Sequence, residues 1–331
     1  RQNQIRRALK MSETYDFLSD LGGTNVRFAL VPAGQHTPES VAKFANKDYG
    51  SFEEAARVYL NDVGNPHLSK ACIAVAAPVR GDEIQLTNHT WHLSAEPLRR
   101  QLALQQLLFV NDYLALAIAL PDLEPSEKIQ IGDNGNLDSK NTRLVIGPGT
   151  GLGVCGLLRN GKYDVPMSGE GGHMFFPPRT TQEFELIQIV SPESSGASAE
   201  WLLNGGGLER LHTGLAKLSG GPVESIRAEE ITQQALAGDP ECIETLNLYC
   251  KFLGRATGDY ALAYGATGGV FLGGGILRNF PEFLEASPFR SEFEDKGVMR
   301  GYVQDIPTFL ITAPDKTLWG ACKWLRQVGA A

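Results

Sequence analysis

From residue 15 onward the apolar positions fall into short runs broken by glycine, proline and polar clusters. Residues 15–18 and 26–31 flank a glycine-rich break, a pattern that predicts two strands joined as a hairpin. Residues 51–60 carry helical spacing, and residues 71–76 form a short apolar strand that ends before Pro78. Ser94 is placed to cap a helix running toward Leu104. Residues 107–110 predict a buried strand with Asn111-Asp112 at its end, followed by a helix over residues 113–120 that Pro121 stops.

A second series repeats this layout. Strands are predicted over residues 144–146 and 154–158, again on either side of a glycine run. Helical patterns follow over residues 182–190, 199–203, 228–236 and 241–264, with an aromatic strand over 174–176. Strands at 270–272 and 309–312 and a closing helix at 317–327 complete the chain. Two strand–glycine–strand units imply two similar lobes. The expected small lobe covers residues 15–122 and is completed by residues 313–331; the large lobe covers residues 123–312. Residues 1–14 are expected to be an extension, disordered or appended, with Met11 as a possible start. Strands interleaved with helices make this an α/β protein.

Composition narrows the function. With 30 Lys and Arg against 38 Asp and Glu, the net charge of −8 argues against a nucleic-acid partner, whose phosphates need clustered cations. No apolar run approaches the length of about 20 residues that a membrane span needs, and residues 1–10 are too polar for a signal peptide. The five cysteines show no Cys-x-x-Cys pairing, which fits a reducing, cytoplasmic compartment.

The glycine turns carry candidate chemistry. In Asp20-Leu21-Gly22-Gly23-Thr24-Asn25 the glycines let backbone N–H groups approach an anion, Thr24 and Asn25 add side-chain donors, and Asp20 is placed to hold Mg²⁺ directly or through water. The alternative is a hairpin that merely needs glycine. Gly147, Gly149, Gly151 and Gly153 with Thr150 between them exceed the need of one turn, and a phosphate cradle accounts for the excess; a bulged hairpin is the alternative. Neither turn is a Walker A loop or a Gly-x-Gly-x-x-Gly fingerprint. Gly268-Gly269 and Gly273-Gly274-Gly275 flank the strand at 270–272, where bare backbone suits either a purine ring or close packing. Asp112 reads as a helix N-cap or as a general base.

Taken together these segments resemble the actin-like ATPase-domain sugar kinases, and most closely the bacterial glucokinase family, from Tyr15 to the C-terminal helix. The resemblance is carried by Asp20 to Arg27, Thr87-Asn88-His89-Thr90-Trp91, Asn111-Asp112, Gly147 to Gly153, Gly169-Glu170-Gly171-Gly172-His173, Ser198-Ala199-Glu200, Gly268 to Gly275, Phe293 to Gly297 and Asp305-Ile306-Pro307. It implies a two-lobed, ribonuclease H-like fold with a mixed sheet in each lobe flanked by helices, a ligand cleft between the lobes, and lobe closure. It implies transfer of the γ-phosphoryl of ATP to the 6-hydroxyl of glucose, in glycolysis, with Asp112 as the base. Asn111 and Asp112 are expected to meet O4 and O6, Glu170 and His173 the O1 to O3 side, and Glu200 O1 and O2, with Asn88 in a loop near the sugar. Gly22, Gly23, Thr24 and Asn25 are expected at one phosphate, Gly149, Thr150 and Gly151 at another, and Gly274 at adenosine. Asp20 would orient Mg²⁺ through water. The related ROK group carries a Cys-rich zinc loop after its Gly-x-x-His segment; this chain has no cysteine between Cys155 and Cys242, so no zinc is expected and His173 is read as a sugar contact. Family likeness also implies a homodimer. The rival readings are a kinase for another hexose on the same fold and a non-catalytic sugar-sensing regulator.

Overall fold

The computed structural model describes residues 13–86, 91–133, 135–138, 140–159, 164–192, 196–223 and 225–328. The expected N-terminal extension lies outside them up to residue 12. The chain divides into two compact units: one runs to Asp122 and resumes at Asp315, and the other covers Leu123–Pro314.

The first unit contains β1 (Thr14–Leu21), β2 (Asn25–Pro32), β3 (Glu39–Ala45), α1 (Phe52–Asp62), β4 (His67–Val75), β5 (Glu83–Gln85), β6 (His92–Ser94), α2 (Ala95–Gln101), β7 (Gln106–Asn111) and α3 (Asp112–Ala119). Its main sheet has the order β3-β2-β1-β4-β7, antiparallel from β3 to β1 and parallel from β1 to β7. The central strand β1 is buried almost throughout because both its faces are covered. Tyr15, Phe17 and Leu21 pack with Phe28, Phe52 and Tyr59 on one face, while Leu18 packs with Ala29, Val31 and Cys72 on the other.

The second unit contains β8 (Lys128–Ile131), β9 (Arg143–Pro148), β10 (Leu152–Arg159), β11 (Asp164–Gly169), α4 (Thr181–Val190), α5 (Ala199–Leu203), α6 (Gly205–Leu218), α7 (Ala228–Leu236), α8 (Pro240–Tyr264), β12 (Val270–Leu272), α9 (Pro281–Ala286), α10 (Phe289–Glu294), α11 (Arg300–Val303) and β13 (Thr308–Ile311). Its sheet order is β11-β10-β9-β12-β13-β8. The first five strands repeat the pairing senses of the first unit, antiparallel twice and then parallel twice, and β8 adds an antiparallel edge. In each unit the glycine turn joins the central strand to its antiparallel neighbour.

The final helix, α12 (Lys316–Val328), belongs to the first unit, where Leu318, Ala321, Cys322 and Leu325 cover the second face of the sheet. Arg326 ion-pairs with the buried carboxylate of Asp16 and also donates to the Gln35 carbonyl at 2.8 and 3.0 Å. Helices α12 and α3 touch through backbone: a Cβ on Gly320 would lie 1.7 Å from the Ala115 carbonyl oxygen.

Two expected elements differ. Residues 174–176 form no strand but a single bridge, Phe175 to Ser198. Pro177 and Pro178 follow directly and cannot donate to a ladder. The helix capped at Ser94 ends at Gln101 rather than near Leu104, since Ala103 turns to φ +52°. The Ser94 hydroxyl donates to Glu83 at 2.5 Å instead of capping the helix. Among the described residues no helix is long and apolar enough to cross a membrane.

Candidate active site

The first glycine turn is closed by the Gly22 N–H, which donates to the Asn25 carbonyl at 3.0 Å. That donor is therefore spent within the turn. The N–H groups of Gly23 and Thr24 make no hydrogen bond among the described residues. The carbonyls beside them are held from behind by Asn46, which the sequence reading passed over: its Nδ2 donates to Gly22 O at 2.8 Å and its backbone N to Thr24 O at 3.0 Å. Asp20, near the end of β1, is largely buried, and its Oδ2 pairs with Arg27 Nη1 at 3.0 Å. Arg27 pairs in turn with Asp315 at 3.2 Å.

The second turn is built the same way. Gly149 N–H donates to Gly151 O at 2.8 Å, while the N–H groups of Thr150 and Gly151 are unbonded among the described residues. Asn204 Nδ2 donates to Thr150 O at 3.1 Å, and Gly205 N donates to Gly149 O at 3.1 Å. Just past the turn, Leu152 N donates to Glu200 Oε2 at 2.9 Å. A Cβ on Gly151 would sit 2.6 Å from that oxygen, so a larger residue there would push the Glu200 carboxylate aside. Gly274 has φ +87°, and a Cβ there would meet Pro148 O at 2.1 Å, so close backbone packing alone requires this glycine.

Glu170 and His173 bracket a short turn after β11. His173 N donates to Glu170 O at 3.1 Å, and both side chains are exposed. His173 Nδ1 lies 3.9 Å from Glu200 Oε1. One carboxylate thus links this turn to the glycine turn at Gly151. Tyr260 on α8 fixes the turn from below, its hydroxyl donating to Gly171 O at 2.6 Å. Burial, reinforced by Asp259 and Tyr264, raises the Tyr260 phenol far above its ordinary value and keeps it a donor.

The chain beyond this turn is tied to a buried ionic network. Arg255 of α8 grips Glu183 with two hydrogen bonds, at 2.8 and 3.0 Å, and reaches Glu292 at 3.2 Å. Lys251 adds a contact to Glu183 at 3.0 Å, and Arg179 N another at 2.7 Å. Burial pushes the Glu183 carboxyl up, but hydrogen bonds from Arg255, Arg179 and Lys251 outweigh it and hold the group at about 2.

In the first unit, Asn111 closes β7 and caps α3, its Oδ1 accepting from Tyr113 N at 3.0 Å and Leu114 N at 3.1 Å. Asn111, not Asp112, is therefore the N-cap. Asp112 is the first helical residue, and its Oδ1 accepts from Tyr113 N at 2.9 Å and from Asn111 Nδ2 at 3.1 Å. Asn88 and Thr87 lie outside the described residues, and Trp91 is buried in the core of the first unit. The structure thus gathers Gly151, Glu170, His173 and Glu200 in one unit, and Asp20, the first turn, Asn111 and Asp112 in the other. Asn46, Asn204 and Tyr260 were missed because each acts on a turn 22 or more residues away in sequence.

Comparison with known proteins identifies the family. The sequence profile of the family described as Glucokinase matches residues 17–328. The glucokinase of Tolumonas auensis is 39% identical over 311 residues, covering 94% of this chain and 96% of that protein. The crystal structure of a glucokinase from an Antarctic psychrotroph superposes with a TM-score of 0.81 at 35% identity, covering 95% of this chain and 99% of that one. A glucokinase from Balamuthia mandrillaris, solved in complex with glucose, shares the fold with a TM-score of 0.82 at 23% identity, covering 97% and 96% of the two chains. The duplicated sheet is the actin-like ATPase fold of the sugar kinases. A profile match that spans nearly every described residue, together with full-length relatives, places this chain in the glucokinase family.

Proposed function

We propose that the protein transfers the γ-phosphoryl group of ATP to the 6-hydroxyl of glucose, giving glucose 6-phosphate and ADP, as the entry step of glycolysis. The observation that carries this reading is Glu200, whose two oxygens reach Leu152 N, beside a turn whose N–H groups are unbonded among the described residues, and, at 3.9 Å, the ring of His173. Phosphate-type donors and sugar-type acceptors thereby share one wall.

In this reading the N–H groups of Gly23, Thr24, Thr150 and Gly151 donate to phosphate oxygens and stabilise the charge that builds there during transfer. Glu170, His173 and Glu200 take the O1 to O3 side of glucose, and Asn111 and Asp112 take O4 and O6. Carboxylates suit this task because each accepts several hydrogen bonds. An alcohol is a poor nucleophile, so Asp112 accepts the O6 proton as the new O–P bond forms and the bond to ADP breaks. The helix N-terminus and the Asn111 amide, both donating to Oδ1, fix the carboxylate's direction.

No group of three or more His, Cys, Asp or Glu among the described residues is placed to hold a metal by itself. Mg²⁺ suits the donor set present, since it keeps several waters and binds through one or two carboxylates plus phosphates. Asp20 is the carboxylate at the first turn that would orient it, and the bound ion would neutralise charge on the β- and γ-phosphates. The same reading takes the enzyme as a cytoplasmic homodimer.

A coupled assay with ATP, Mg²⁺ and a panel of glucose, mannose, fructose and N-acetylglucosamine tests it. Glucose should give the highest kcat/KM. A better substrate in the panel would reassign the sugar, and no turnover with any of them would remove the kinase reading.

A further inference from the structure

Each glycine turn is held from behind by an asparagine, and the two devices match. At the first turn, Asn46 draws back the carbonyls of Gly22 and Thr24; at the second, Asn204 draws back that of Thr150 and the adjoining Gly205 N that of Gly149. Every described peptide is trans. In a planar trans peptide the N–H points opposite to the C=O. Holding Gly22 O therefore aims the N–H of Gly23 away from Asn46. Holding Gly149 O and Thr150 O aims the N–H groups of Thr150 and Gly151 away from the α5–α6 junction. These are three of the four backbone donors in the two turns that are unbonded among the described residues.

The geometry of Asn46 argues against a role as filler. Its side chain is 1% exposed, yet its Oδ1 has no hydrogen-bond partner among the described residues. Buried amides are normally satisfied at both ends. Here only the donor end is used, and it is used on the turn. Asn204 is employed at both ends: Oδ1 accepts from Gly207 N at 2.7 Å and from Arg210 at 2.9 Å, capping α6, while Nδ2 serves the turn.

We propose that Asn46 and Asn204 are paired positioning residues that preset the backbone N–H groups of the two turns for a nucleotide's phosphates. This rests on the kinase reading above and adds residues to it. Glycine turns are flexible, and unrestrained peptides would have to be ordered on binding. A turn whose carbonyls are already held loses less conformational freedom when the anion arrives.

The experiment measures binding of a non-hydrolysable ATP analogue, of adenosine and of glucose to the full chain by calorimetry, for the wild type, Asn46→Leu and Asn204→Asp. Asn204→Asp keeps the oxygen that caps α6 and replaces only the turn donor, so it should fold with an unchanged Tm. Each variant should bind the ATP analogue about tenfold more weakly, near 1.4 kcal/mol, while binding of adenosine and glucose stays within about twofold. A general structural defect would weaken glucose binding as well, and that result overturns the proposal. So does wild-type affinity for the analogue in folded Asn204→Asp, which would leave the kinase reading standing. Absence of analogue binding by the wild type would overturn both.

Discussion

Glu200 has two separable contacts, and they give different predictions from those of its neighbours. Glu170→Ala and His173→Ala should raise KM for glucose by about ten- to a hundredfold, the scale of losing a charge-assisted hydrogen bond, with KM for ATP nearly unchanged. Glu200→Ala also removes the acceptor for Leu152 N beside the second glycine turn, so it should raise both KM values. Steady-state kinetics with each substrate varied in turn checks this, and a pure glucose effect in Glu200→Ala would deny the turn contact any weight. At this scale the sequence put Glu170 and His173 in one glycine-flanked motif, and the structure sets them at the two ends of one turn. It was silent on Asn46 and Tyr260, whose partners are backbone carbonyls brought near only by the fold. It also left Asp112 open between cap and base, and the structure assigns the cap to Asn111.

Helix α8 organises the second unit, and its polar residues hold what surrounds it. Arg255→Met would leave Glu183 buried without its main partner, at a cost of about 3–5 kcal/mol, read as a lowered urea midpoint. The pH dependence follows from the depressed carboxyl. Glu183 binds its proton more weakly when folded, so its stabilisation is complete above the ordinary value of 4.5 and is lost as pH falls toward about 2. Glu183→Gln should lack that component of acid destabilisation between pH 5 and pH 2. Helix α10 lies so close that a Cβ on Gly254 would meet Phe289 O at 2.1 Å, and one on Gly258 would meet Phe293 O at 2.5 Å. The segment Phe293 to Gly297, marked by family likeness but given no task, thus serves as a brace, with Lys296 Nζ donating to Arg255 O at 2.7 Å. Elements with strong apolar periodicity were legible almost to the residue, as at α5, α7 and β12. Helix α6 was not, because it opens on three glycines, poor helix formers that Asn204 caps. The edge strands β3, β8 and β11 were not either, since their half-exposed positions carry no continuous apolar run.

Each unit carries the same five-strand pattern with a glycine turn at the same point, and that repeat was visible in the two strand–glycine–strand segments. The return of α12 to the first unit ties Arg326 to Asp16 of β1. A chain ending at residue 314 would expose Leu18, Val31 and Cys72 on the second sheet face and leave the buried Asp16 without Arg326. It should lose cooperative unfolding of the first unit and aggregate, as judged by circular dichroism and gel filtration. Gly320→Ala is a milder probe of the same contact. Its Cβ must displace the Ala115 carbonyl, so Tm should fall and kcat with it, because α3 carries Asp112 at its first turn. The most direct measurement on the account as a whole is the single-turnover rate of Asp112→Asn with saturating glucose and MgATP, alongside calorimetric binding of both. The account predicts that both ligands still bind while phosphoryl transfer slows by about a hundred- to ten-thousandfold. Transfer within a few-fold of the wild-type rate, with ligands bound, would contradict it.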